Sequence, residues 1–343
     1  MKAFLRGGLL LLALTPASAG EAAAASLYDA SQAARSRPAA AKAEPVAEAA
    51  KRARALLESG QIEKARKLAA ELVAANIGTV HEGMLRNLQG DIEEKAGDRI
   101  AAAEMFQRAA HLDASEEHLF DWGNNLLALR AADDAVQVFE AAIKRHPNSA
   151  RLHVGLGIAR YARGEYNDAV QSFCRAADLE PADPRPIEFL GEMYGVSPDL
   201  AAEITERVAR FAKAQPKVAS GQYYYAMNLW RAPSAPDAPS AADPPGTPGA
   251  PGASDATLKT VESLLKRAVA LDRRMTKAHL QLGILLAEQK RFTEAIPSLV
   301  EAIRLDPNLG QAHYRLAQAY QRTGQKELAA REFAEFERLK PRK

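Results

Sequence analysis

Of 343 residues only one, Cys174, is a cysteine. No internal disulfide can form, so packing must hold the fold together. Cys174 follows Phe173 and reads as a small structural residue; an intermolecular thiol is the other reading. Neither sign of charge prevails, with 45 Lys and Arg against 43 Asp and Glu. Without residues 1–19, which hold Lys2 and Arg6, the balance is 43 against 43. Nucleic-acid binding needs a positive surface that releases counterions, and no basic block appears before residues 340–343. Membrane attachment through a basic face is equally unsupported.

Motifs for chemistry are also missing. There is no H-E-x-x-H, G-x-S-x-G, C-x-x-C-H or P-loop. Gly155-Leu156-Gly157 starts a string like a nucleotide loop, but Arg160 stands where its last glycine belongs. Among the seven histidines, His279 and His313 lie 34 residues apart. Equivalent points on packed neighbouring helices are ~8–10 Å apart. A zinc ligand bond is about 2 Å, so these two are expected to pack and not to share a metal. Acid pairs such as Asp133-Asp134 read as solvated caps. The expectation is a protein that is not an enzyme and has no cofactor or metal.

The longest apolar run comes at the start. Lys2 and Arg6 precede the run at residues 7–14, and Ala17-Ser18-Ala19 forms a small-x-small site. This is the layout of a secretory signal peptide cleaved after Ala19. The run is too short to anchor in a bilayer, and no cysteine follows it for lipid attachment. A periplasmic or secreted protein is expected, with residues 20–45 an Ala-rich flexible segment.

What the chain does have is a repeat. Pro147 and Pro181 are 34 residues apart, and so are Pro307 and Pro341. Between Pro307 and Pro341, His313, Leu316, Ala317 and Tyr320 form an apolar helical stripe. Gly324 breaks it, and Ala329, Phe333 and Phe336 form a second. Two helices, each apolar on one side, must stack on neighbours to bury those sides. The same marks recur as Trp122-Gly123, Ala135, Phe139, Ala142 and Pro147, and as Leu156-Gly157, Gly164, Ala169, Phe173, Ala176 and Pro181. Leu282-Gly283, Leu286, Ala295, Leu299 and Pro307 give another set.

This pattern resembles the tetratricopeptide repeat, W-x2-L-G-x2-Y, then A-x3-F, then P. His153, His279 and His313 stand in its Trp slot and Arg160 in its Tyr slot. The resemblance implies an all-α solenoid, a right-handed superhelix of about eight helix–turn–helix units. Their expected bounds are 46–79, 83–114, 116–147, 150–181, 184–216, 219–273, 276–307 and 310–341. Residues 232–255, dense in Pro, Ala and Gly, interrupt the sixth. They read as a disordered insert, with a partner-docking segment the other reading. The second helix of that unit is expected to resume near Leu258.

In this family the first helix of each unit lines a concave groove. Its register implies groove positions at Phe120, Asn124 and Leu127, then Val154, Ile158 and Tyr161. Arg185, Glu188 and Glu192 follow as a charged band, then Tyr223, Met227 and Trp230. Leu280, Ile284, Tyr314 and Gln318 complete the set. Packing between helices of adjacent units is the alternative for each. The paired Lys and Asn with which the family clamps a carboxylate are missing from this register. The functional expectation is an exported protein–protein scaffold of the cell envelope, holding an extended peptide or partner helix in an aromatic groove. A spacer or glycan-binding subunit of a secretion machine is the alternative, and self-association through the last unit is compatible with either.

Overall fold

The computed structural model describes residues 45–231 and 254–340. The signal-peptide reading of 1–19, the flexible segment up to residue 44, Pro341 and residues 232–253 of the insert lie outside them. Among the described residues there are sixteen α-helices and no strand. The first six are α1 (Val46–Glu58), α2 (Ile62–Ala75), α3 (Glu82–Ala96), α4 (Arg99–Leu112), α5 (Glu116–Ala128) and α6 (Ala132–Arg145). Next come α7 (Ala150–Arg163), α8 (Tyr166–Leu179), α9 (Pro184–Met193), α10 (Ala201–Ala214) and α11 (Ala219–Arg231). The last five are α12 (Asp255–Leu271), α13 (Thr276–Glu288), α14 (Phe292–Leu305), α15 (Gly310–Arg322) and α16 (Lys326–Leu339). The chain divides into a unit ending at Ala49 and one starting at Ala50. The second unit holds nearly all the described residues, from within α1 to the end of α16.

From α2 onward every helix packs on the next, so burial is local along the chain, as in a stacked array. One buried cluster joins α4 to α7 around Phe139, and another runs from α7 to α15. The array is therefore an all-α repeat solenoid without a single central core.

Small residues recur where helices cross. A methyl group added at Gly123 would stand 2.6 Å from the Phe139 ring, and one at Gly155, on the following first helix, 2.5 Å from it. Phe139 is thus clasped between two glycines of successive units. Gly90 meets Phe106, Gly157 meets Phe173 and Gly283 meets Leu299 in the same way, all under 3 Å. In the fifth unit Gly191 meets Tyr224, which reaches in from the next first helix.

The turn inside the hairpins needs a left-handed residue. Gly60, Gly97, Gly164 and Gly324 supply it at φ 76°, 90°, 83° and 81°. Arg130 and Lys290 hold the same repeat position at φ 61°, where a side chain is strained. Serine and aspartate start several helices: Ser115, Ser149 and Ser254 accept the amide three residues on, and Asp183 accepts that of Arg185. With Ser254 as cap, α12 begins at Asp255, three residues ahead of the expected Leu258, so 254–255 belong to the helix start and not to the insert.

The histidines of the Trp slot tie each first helix to the turn before it. His153, His279 and His313 each donate through Nε2 to the carbonyl six residues earlier, at 3.2, 3.1 and 3.1 Å. Cys174 is buried, and burial pushes its thiol up to about 12, so its sulfur stays protonated and inert.

Candidate interaction surface

Several first helices touch their like in the next unit: α3 packs on α5, α5 on α7, α9 on α11 and α13 on α15. Between α7 and α9, as between α11 and α13, contact is sparse, and at the first of these there is an opening. The opening is a hollow of about 240 Å³ lined by Ile158 and Tyr161 of α7, Phe173 of α8, Phe189, Glu192 and Met193 of α9, and Val196 just beyond it.

The local sequence explains the opening. Asp183 caps α9, Pro184 and Pro186 set its first turn, and the helix ends after ten residues at Met193. The chain then turns, with the amides of Val196 and Ser197 bonded to the Met193 carbonyl. Phe189 lies flat on the buried Phe173, with ring centroids 4.6 Å apart and planes 8° apart. The outer face of Phe189 stays 37% exposed. Tyr161 is 50% exposed and leans on Tyr166 at 5.3 Å. Aromatic faces held rigid by packing, yet open to water, are the usual anchors of recognition.

The rim is polar but largely satisfied. Burial works against the charge of Glu192, yet Lys277 and the Tyr224 hydroxyl, which donates to it at 2.8 Å, hold its carboxyl below the usual range. A larger hollow of about 620 Å³ between α12 and α13 is lined mainly by charged or polar side chains, of which Glu262 and Arg291 already pair at 2.6 Å. No aromatic side chain lines it.

Three of the residues expected from sequence, Ile158, Tyr161 and Glu192, therefore meet at one place. Phe120 is half-buried beneath the Arg151 guanidinium, 4.1 Å from the ring centroid. Asn124 is exposed, and Leu127 and Gln318 are half-buried. Arg185 and Glu188 are exposed, the former paired with Asp183 at 2.8 Å. Tyr314, exposed, packs beside Phe333 and Phe336.

The other six are not open to a groove. Val154, Tyr223, Met227, Trp230, Leu280 and Ile284 are buried. The reason is that α11 and α13 are enclosed on almost every side. In α11, Tyr224, Ala226 and Asn228 are buried together with Tyr223, Met227 and Trp230. Val154 joins the cluster formed by α8 and α9. Burial pushes the Tyr223 phenol up to about 12. These side chains pack between helices, the alternative the register left open.

The register passed over Phe189 and Val196. Phe189, Met193 and Val196 make an apolar stripe at spacings of four and three. The acidic neighbours Glu188 and Glu192 hid it by marking the segment as a charged band.

Comparisons with known proteins bear on the fold. A tetratricopeptide-repeat family model matches residues 50–117 and 120–184, and a second matches 310–343. A TPR-repeat model matches residues 283–324. A search of curated proteins found no match. Among solved structures, the Cut9–Hcn1 hetero-tetramer of the APC/C is similar at 13% identity and a TM-score of 0.50, over 85% of this chain and 52% of that one. Yeast Tom70 is similar at 15% identity and a TM-score of 0.47, over 90% and 63%. YrrB, described as a TPR protein with an unusual peptide-binding site, is similar at 18% identity and a TM-score of 0.42, over 59% and 92%. With the repeat pattern, the stacked hairpins and these family matches in agreement, the chain belongs to the tetratricopeptide-repeat family.

Proposed function

We propose that this protein is a non-enzymatic interaction scaffold that seats an extended peptide or partner helix against its first helices, with an apolar or aromatic side chain entering the hollow between α7 and α9. The observation that carries this reading is the exposed pair Tyr161 and Phe189 over an apolar wall. A water-exposed aromatic cluster of this kind costs solvation unless a partner covers it. The signal-peptide layout of residues 1–19 supports a scaffold of the cell envelope or the cell exterior, on the sequence alone.

The test is selection of random dodecapeptides on the purified chain. Selected peptides are expected to share an apolar or aromatic residue, and Tyr161→Ala with Phe189→Ala should weaken them about tenfold or more, the loss typical of an interface anchor. Recovery of no peptide, or unchanged affinity in the double variant, would contradict the reading. Preferential binding of a sugar polymer by the same residues would favour the glycan-binding alternative instead.

A further inference from the structure

A second place on the first helices has buried polar atoms without partners. Asn87 on α3 is only 2% exposed and donates through Nδ2 to Asp121 Oδ2 on α5 at 2.9 Å. A carboxylate only accepts, so this bond fixes which way the amide faces. The Asn87 Oδ1 is then buried without a donor. One turn along α3 stands Asp91, half-buried, with no hydrogen bond or ion pair among the described residues. Burial first, and then the negative charge of Asp121, push its carboxyl up to about 7. One turn along α5 from Asp121, Asn125 is buried with both amide atoms unpaired.

Other half-buried acids here have a cationic partner. Glu93 is held by Arg66 through two bonds at 2.8 and 2.7 Å, and Glu262 by Arg291 at 2.6 Å. Burying a carboxylate without such a partner is costly. The charged groups facing Asp91 and Asp121 are Glu94, Glu117, Arg54, Arg151 and, if protonated, His118. Four carboxylates thus outnumber two guanidinium groups. Arg151 lies over Phe120 and 3.6 Å from Glu116, reaches Asp121 only at 3.9 Å, and leaves its buried Nε without an acceptor. No group of acids and histidines among the described residues is arranged to ligate a metal ion. The missing element is a cation that brings several N–H donors of its own.

We infer that the α3–α5 surface takes the lysine or arginine head of a peptide partner, between Asp91 and Asp121 and above Asn87. An ammonium offers three donors and a guanidinium five, which suits the carboxyl oxygens of Asp91 and Asp121 and the unpaired Asn87 Oδ1. The inference rests on the peptide-binding reading and adds to it the charge of the ligand.

The selected dodecapeptides supply the test. They are expected to be enriched in Lys or Arg beside their apolar residue. Replacing that Lys by norleucine, or that Arg by citrulline, should lower affinity for the wild-type chain about tenfold, or ~1.4 kcal/mol. On Asp91→Asn, which removes a half-buried charge and keeps the side-chain shape, the same replacement should cost no more than about twofold, while the need for Tyr161 and Phe189 persists. Peptides that require Tyr161 and Phe189 but show no basic enrichment would overturn this inference and leave the scaffold reading standing. So would an equal loss on both proteins. A selection that returns no peptide overturns the scaffold reading, and the basic subsite with it.

Discussion

Tyr161 on α7 and Trp230 on α11 occupy the same register position in two units and do different work. Trp230 is 1% exposed and fills the space between α11 and its neighbours, whereas Tyr161 is half open to water. Trp230→Ala is therefore expected to destabilise the array by about 3–5 kcal/mol, the range for emptying a large core side chain. Chemical denaturation followed by circular dichroism measures it. A change under about 1 kcal/mol would mean that Trp230 is a surface residue after all. The register could not separate the two, because a repeat assigns a slot and not its exposure. Exposure depends on which side chains pack around each helix, and those vary up and down the array. Packing between helices claims six of the sixteen expected groove positions, all in α7, α11 and α13.

Helices, unlike exposures, were legible. Glycine and proline spacing marked the turns, because each has one backbone role that little else performs. Gly123 shows how strict the spacing is. An added Cβ would press on Phe139, against which Gly155 of the next unit also lies close, so the ring has little room to retreat. Gly123→Ala gains helix propensity of about 1 kcal/mol. Overpacking costs about 1–3 kcal/mol, and with the ring crowded by both glycines' helices the cost should prevail. A lowered denaturation midpoint is the expected result, and a raised one would show that α5 and α6 can part without penalty. The short α9 was the least legible element. Its proline-led start, its early end at Met193 and the Phe189 stripe arise from one irregular unit, which a consensus drawn from regular units does not describe.

At the scale of the molecule, the chain offers a row of first helices with two unlike places on it. One, between α7 and α9, is apolar and open; the other, across α3 and α5, is acidic and holds unpaired buried polar atoms. Both lie where successive units meet, which is how an array without a central core makes sites: from what one unit leaves uncovered by the next. The fold class followed from the 34-residue period, while the two places followed from side-chain geometry that no period encodes.

Amide hydrogen exchange of the chain with and without a selected peptide tests the central claim most directly. Slower exchange is expected in α7 from Ile158 onward and in α9 through Val196, with Tyr161→Ala and Phe189→Ala together abolishing it. Slowing confined to other helices, or none at all with the peptide bound, would contradict the claim that this hollow is where the array receives its partner.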